Sequence, residues 1–222
     1  MEPYWTDGQI TIYHGDCLTD VGGWLDADVL VTDPPYGMAF VSSWTTRKRP
    51  ILNDMDTTVR DEALRMWGDK PAAVFGTWKR PRPSNTIARL IWDKSDGTGP
   101  GMGDLGCAFG TADEEIYLLG DWSKHGPRQS NILRSHEAMG GTHGLVAQSG
   151  PPTPKPVYIM AKLILATDPH AIIGDPFMGT GATLCAAKVL GRRAIGVEIE
   201  EKYCRVAVQR LQQQVLTLEV AV

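Results

Sequence analysis

The chain has 222 residues, 42% of them hydrophobic, enough to bury one sizeable core, and its net charge of -4 argues against a protein that coats nucleic acid indiscriminately. No stretch approaches the roughly 18 apolar residues of a membrane span, and the N-terminal "MEPYWTDGQI" lacks the basic start and apolar core of an export signal. Its four cysteines, Cys17, Cys107, Cys185 and Cys204, form no C-x-x-C pair, which argues against a zinc knuckle or a disulfide scaffold and predicts one compact domain in a reducing cytoplasm, with no membrane partner.

In chain order, the first apolar run is "TIYHG" (11–15). The next, "VLVT" (29–32), runs into Asp33, Pro34, Pro35 and Tyr36. Up to residue 43 there are seven acids and no Lys or Arg. Residues 44–89 then carry ten Lys plus Arg against five acids, with the clusters "RKRP" (47–50) and "KRPRP" (79–83). Both a basic face and a merely solvated surface fit that distribution. Further short runs, "AAVFG" (72–76), "RLIW" (89–92), "EIYLLG" (115–120), "AIIG" (171–174) and "AIGVEI" (194–199), bring the candidate strands to seven. Helical spacing appears late. Val157, Met160, Ala161, Ile164 and Leu165 define one buried face, and Tyr203, Cys204, Ala207, Val208 and Leu211 another. Between them, residues 180–190 fit a helix stopped by Gly191. Strand and helix alternate, so a mostly parallel α/β sheet is expected. Gly- and Pro-rich loops lie at 95–106 and 139–156.

Two motifs carry chemistry. In "AIIGDPFMGTGATLCAAKVLGRRAIGVEIE" a strand ends at Asp175, a turn contains Gly179 and Gly181, a helix follows, and a second strand ends at Glu198. Glycines let the backbone approach a ligand, and an acid closing the next strand can accept both hydroxyl hydrogens of a ribose. An adenosine-bearing cofactor suits this unit. The dinucleotide fingerprint would need a third glycine where Leu184 stands, so a snug pyrophosphate site is not expected. In D-P-P-Y, the prolines remove two N–H groups and favour extended backbone. Asp33 and the Pro34 carbonyl then project together as two acceptors with no donor, a match for an amino group, with Tyr36 as an aromatic plate beside it. An ordinary Pro-containing turn is the other reading of these four residues.

Together the motifs resemble the amino-group DNA methyltransferases that use S-adenosyl-L-methionine, the DNA methylase N-4/N-6 family. D-P-P-Y comes first and "DPFMGTG" last, the circularly permuted order of the beta group. The similarity covers most of the chain. "IYHGDCLTD" resembles the segment that meets the cofactor adenine, here Asp16 and Cys17. "PPTPKPVYIMAKLI" resembles the family's H-P-T-x-K-P, with Thr153, Lys155 and Pro156 matching and Pro151 near the usual histidine. "LIWDKSDGTGPGMGDLGCAFGTADEEIYLLG" resembles the sixth-to-eighth motif region, with Glu114 and Glu115 at the common His-Glu pair.

This resemblance implies a Rossmann-like sheet of seven strands, mostly parallel with one antiparallel, helices on both faces, and DNA as partner. Asp33, Pro34, Pro35 and Tyr36 would receive an extruded base. Asp175, Pro176, Phe177, Gly179, Thr180 and Gly181 would hold the methionine end of the cofactor, Glu198 the ribose, and Lys155 the cofactor carboxylate. No metal is called for, and the five histidines show no ligand spacing. A mobile basic loop at about 41–60, with Trp44 and Arg47 to Arg49, would close over the base. Target recognition falls to a segment at about 121–150, short enough that it reads a short sequence or that a second subunit, as in a homodimer, completes the clamp. Three readings stay open: transfer to adenine N6, which D-P-P-Y favours; transfer to cytosine N4; and an inactive DNA-binding subunit of the same fold.

Overall fold

The computed structural model describes residues 2–19, 23–39, 52–94, 108–122, 128–134 and 155–219, with side chains of the last helix to 213. Trp44, Arg47 to Arg49, Cys107, Pro151, Thr153, His125, His136, His143 and most of 121–150 lie outside the described residues. The described elements are, in order, β1 (Trp5–Thr6), β2 (Ile10–His14), a 3-10 turn (Trp24–Asp26), β3 (Val29–Thr32), α1 (Thr58–Trp67), β4 (Ala72–Gly76), β5 (Thr86–Asp93), β6 (Asp113–Leu119), β7 (Ile132–Arg134), α2 (Val157–Leu165), β8 (Ile173–Asp175), α3 (Ala182–Val189), β9 (Ala194–Glu198) and α4 (Glu201–Glu219).

All nine strands join one sheet in the order β1-β2-β9-β8-β3-β4-β6-β5-β7. The seven expected strands are β2, β3, β4, β5, β6, β8 and β9, and within that set β6 alone runs against its neighbours. β1, antiparallel to β2, and β7, parallel to β5, extend the edges. At two and three residues they are too short to leave a periodic signature.

Alternate side chains of each central strand enter two separate cores, as the pleat requires. Val29, Val31, Ala73, Phe75 and Ile116 face one side, where α2, α3 and α4 pack through Ile159, Met160, Leu163, Ile164, Leu184, Cys204 and Leu211. Leu30, Ala72, Val74, Tyr117 and Val197 face the other, covered by Trp24, Ala63 and Trp67. Helices thus cover both faces. The strands β3, β8 and β9 bury nearly every side chain, so burying each Leu, Ile or Val there stabilises by about 1.5–3 kcal/mol.

Residues 58–60, the end of the segment expected as a basic loop at about 41–60, form the first turn of α1. That helix is polar overall, and its buried face is only Arg60, Ala63 and Trp67, so charge masked its spacing. Trp67 stacks on Trp24 with ring centroids 5.9 Å apart, and its indole N–H donates to the Lys70 carbonyl at 3.0 Å. The Lys70 ammonium in turn lies 3.7 Å from the Trp67 ring and donates to the Leu25 and Ala27 carbonyls.

Candidate functional site

Parallel pairing of β2, β9, β8, β3 and β4 brings their C-terminal ends to one edge of the sheet. Asp16, Glu198, Asp175 and Asp33 follow or close four of those strands. Ligands of open α/β sheets bind at this edge. β6 enters it from the opposite direction. Its register sets Glu115 opposite Gly76 of β4, so Glu114 stands at the same edge, and the alternation of the strand sends the two acids to opposite faces.

Glu115 pairs with Arg89 at 2.8 Å and accepts from the Tyr117 hydroxyl on the far face. Glu114 turns toward D-P-P-Y. The Lys155 ammonium, only 4% exposed, lies 2.9 Å from Asp33 Oδ2 and 3.1 Å from Glu114 Oε2, while Lys94 reaches Glu114 Oε1 at 2.8 Å. The Tyr36 hydroxyl is 2.8 Å from Asp33 Oδ1 and 3.0 Å from Glu114 Oε2, and its single proton serves one carboxylate at a time. Two carboxylates and two ammonium groups therefore form a charge-balanced cluster.

Burial alone would raise the pKa of Glu114, but Lys155 and Lys94 outweigh it and hold the carboxyl at about 2. Asp33 behaves differently. Burial pushes its pKa up, Glu114 adds to the rise, and Lys155 opposes it. The Tyr36 hydroxyl is pushed well up by burial and by both carboxylates, so it stays a proton donor. Lys155 remains protonated because its two carboxylates outweigh its own burial. Glu114 and Lys94 went without a role in the sequence. Nothing local marks them, since their meeting with Asp33 depends on the non-local β4/β6 pairing. The Lys155 ammonium, expected at a cofactor carboxylate, lies against Asp33 and Glu114.

The backbone after Tyr36 is gripped by a buried acid. Asp54 Oδ1 accepts from the Gly37 N–H at 2.7 Å and the Met38 N–H at 3.2 Å, and the Asp54 carbonyl accepts from Ala39 N–H. Residues 33–39 are therefore anchored at both ends, by β3 and by Asp54.

On the neighbouring strand, Asp175 is buried and accepts from the Thr32 hydroxyl at 2.7 Å and the Phe177 N–H at 3.1 Å. Burial raises its pKa to about 7, against the lowering effect of Thr183, Thr32 and Phe177. Pro176 is likewise buried and Phe177 half-buried against the second core. The two glycines of the turn serve different ends. Gly181 has φ +78°, and a Cβ there would sit 2.9 Å from the Ala207 Cβ, so its bareness lets α4 approach. Gly179 has φ +51° with nothing within 4 Å of an added Cβ, so it borders open space. Its N–H donates to Glu198 Oε2 at 3.0 Å, and the Glu200 N–H donates to Glu198 Oε1 at 2.7 Å. Thr180 is buried, its carbonyl held by Arg210 at 2.6 Å. Asp16 accepts from the Leu18 N–H at 2.9 Å, while buried Cys17 accepts the Trp24 indole N–H on its carbonyl. Burial, then Asp16, pushes the Cys17 thiol up to about 12, so it is a neutral, apolar wall.

The fourteen expected site residues thus form two adjoining groups. Asp33 to Tyr36 and Lys155 lie together after β3, and the others lie at or after the C-terminal ends of β8, β9 and β2. Thr32, bonded to Asp175, joins the groups.

The profile of a family described as DNA methylase matches residues 64–209. The chain is 28% identical over 218 residues to "Putative methylase YubD" of Escherichia coli (strain K12), covering 89% of this chain and 88% of that protein. It is 46% identical over 142 residues to "Type II methyltransferase M2.LlaDCHI" of Lactococcus lactis subsp. cremoris, covering 56% of this chain and 50% of that one. Among solved structures, the M1.HpyAVI-SAM complex superposes with a TM-score of 0.61 at 22% identity, over 90% of this chain and 99% of that chain. The cytosine-N4-specific PvuII DNA methyltransferase superposes with a TM-score of 0.65 at 14% identity, over 94% and 88%.

Proposed function

Because the chain belongs to the DNA methylase family, we propose that it transfers a methyl group from S-adenosyl-L-methionine to an exocyclic amine of a DNA base, the N6 amine of adenine. One observation carries this reading. Asp33 and the glycine turn after Asp175 stand on adjacent parallel strands, with Thr32 bonded to Asp175, so an amine at the first adjoins a cofactor at the second.

The residues fit that cofactor. Gly179 borders open space, and Glu198 closes the next strand beside it. Each Glu198 oxygen accepts one backbone hydrogen bond, leaving lone pairs for two ribose hydroxyls. The Asp175 carboxylate suits the ammonium of a methionine moiety, with Pro176, Phe177, Thr180 and Gly181 shaping the turn. Asp16 offers an acceptor to an adenine amine, and Cys17 an apolar wall. S-adenosyl-L-methionine, when bound there, supplies an electrophilic methyl group on a sulfonium.

Asp33 and the Pro34 carbonyl accept the two hydrogens of the target amine. This turns the nitrogen lone pair outward and stabilises the positive charge that develops on it. Pro35 fixes the backbone between these acceptors and Tyr36, whose ring stacks on the extruded base. Lys155 opposes the rise that burial gives the Asp33 pKa, and Glu114 balances the Lys155 charge, so the cluster presents an acceptor to the amine. The amine proton leaves after transfer, when the alkylated nitrogen is strongly acidic.

Adenine is favoured over cytosine because Asp33 stands where the resemblance gives Ser for many cytosine-N4 enzymes. Purified protein incubated with duplex DNA and isotopically labelled S-adenosyl-L-methionine should label the DNA. A folded, cofactor-bound protein that leaves DNA of varied sequence unlabelled would sink the proposal.

A further inference from the structure

Beyond β4 the chain runs through "TWKRPRP", residues 77–83. Trp78 is 67% exposed, and Lys79, Arg80 and Arg82 beside it are exposed as well. A single exposed apolar residue means little. Here the indole sits in a stretch, residues 77–92, with no acid at all, and the Lys79 ammonium lies 5.7 Å from its ring. Among the described residues, none of the three cations makes a salt bridge. Exposed Arg65, by contrast, pairs with Glu62.

The segment is also built rather than loose. Arg80 N–H returns to the Thr77 carbonyl at 3.2 Å, and Lys79 N–H to the Thr77 hydroxyl at 3.3 Å. Pro83 is buried, and its carbonyl accepts the Thr86 hydroxyl at 2.7 Å. Two prolines and these bonds fix the side chains' origin in advance, which lowers the ordering cost of binding.

Its place is the rim of the acceptor cluster. Thr32 is in register with Val74, so Asp33 stands beside Phe75 and Trp78 follows three residues later. With strands about 4.8 Å apart and about 3.3 Å of rise per residue, the Trp78 backbone lies within about 15 Å of Asp33. Behind the hydrogen bonds of Thr58, Arg80 also helps lower the Asp56 carboxyl pKa, which sets the segment beside residues 54–58. Asp54 of that stretch holds the backbone just after Tyr36.

We propose that residues 77–83 are a DNA contact at the rim of the site. Trp78 stacks on a base left unstacked when the target nucleotide is extruded, and Lys79, Arg80 and Arg82 take the flanking phosphates. An aromatic plate among cations is the combination that binds unstacked nucleic acid. The inference rests on the reading that the substrate is DNA.

The test uses the full chain and a labelled duplex carrying one mismatched adenine, with binding followed by fluorescence anisotropy across a salt series. Trp78→Ala should weaken binding about 5- to 100-fold, and Trp78→Phe should keep most of the affinity. Lys79→Ala/Arg80→Ala/Arg82→Ala should make the slope of log K against log salt shallower by about 2 to 3, near 0.9 for each phosphate no longer neutralised. Unchanged affinity for S-adenosyl-L-methionine verifies that each variant is folded. Wild-type protein that labels DNA while both variants keep its affinity and slope overturns the contact and leaves the methylase reading intact. Wild-type protein that binds cofactor yet neither binds nor labels DNA overturns the methylase reading, and the contact with it.

Discussion

Replacing Lys155 with Met keeps the aliphatic stem and removes the ammonium that lies 2.9 Å from Asp33 and 3.1 Å from Glu114. The lysine is 4% exposed, and the carboxylates are 24% and 16% exposed, so water cannot take over its role. Removing one partner of a buried ion pair costs about 3–5 kcal/mol, because the remaining charge is uncompensated. For a chain of this size that corresponds to a melting temperature lower by about 6–20 °C. Asp33 also loses the group that opposes its burial, so its pKa rises further. Transfer needs the carboxylate, so the acid limb of the pH–rate profile should move to higher pH in Lys155→Met. Adding Glu114→Gln restores the charge balance, with Asp33 and Lys94 left, and the double variant should recover about 0.5–3 kcal/mol relative to the sum of the single changes. Thermal melts and single-turnover rates from pH 5 to 9 measure both effects. A Lys155→Met protein that melts within about 2 °C of wild type, a shift below about 1 kcal/mol, with an unmoved acid limb would refute the role given to this cluster.

Asp33→Ala should lower the transfer rate at least about 100-fold, the typical effect of removing one preorganised polar group from a developing charge, while calorimetry finds cofactor affinity within a few-fold. Asp175 has its pKa raised from 3.8 to about 7 by burial, so the folded protein holds that proton where the unfolded chain has released it. The ligand-free protein should therefore lose stability as pH rises from about 4 to about 7, by an amount on the order of 4 kcal/mol from this group. Asp175→Asn should flatten that dependence in denaturant melts. Cofactor binding should show the opposite trend, weakening about tenfold per pH unit below 7 as the carboxylate protonates, and Asp175→Asn should abolish the slope. The glycines separate by readout: Gly181→Ala, meeting Ala207 at 2.9 Å with φ +78°, should destabilise by about 1–3 kcal/mol. Gly179→Ala should cost about 1–2 kcal/mol of backbone strain, with weaker cofactor binding as its main effect.

Much of this architecture is visible in the chain itself because buried strands leave continuous apolar runs. "VLVT" and "AIIG" read as β3 and β8, and the acids following them mark the ligand edge without any knowledge of strand order. The 157–165 helix is equally plain, but its buried stripe is Ile159, Met160, Leu163 and Ile164, turned from the expected Val157, Met160, Ala161, Ile164 and Leu165, and Leu165 is exposed. Other parts are hidden for physical reasons. α1 buries an arginine, an alanine and a tryptophan in an otherwise charged segment, and its face exists only because Trp24 and Lys70 come to meet it. Glu114 and Glu115 are adjacent in sequence but belong to opposite faces, and only the β4/β6 register decides which of them meets Asp33. Lys155 likewise finds its partners at sequence separations no local pattern encodes. Asp54 looks like an ordinary loop acid until Gly37 and Met38 are seen to donate to it.

Methyl transfer to adenine N6 is read most plainly from the bases of DNA exposed to the protein. The chain is expressed in a host lacking DNA methylation, the DNA is hydrolysed to nucleosides, and N6-methyladenine and N4-methylcytosine are measured by mass spectrometry. N6-methyladenine should appear, and be absent when Asp33→Ala is expressed instead. N4-methylcytosine in its place, or neither base from folded, cofactor-bound protein, would contradict transfer to adenine N6.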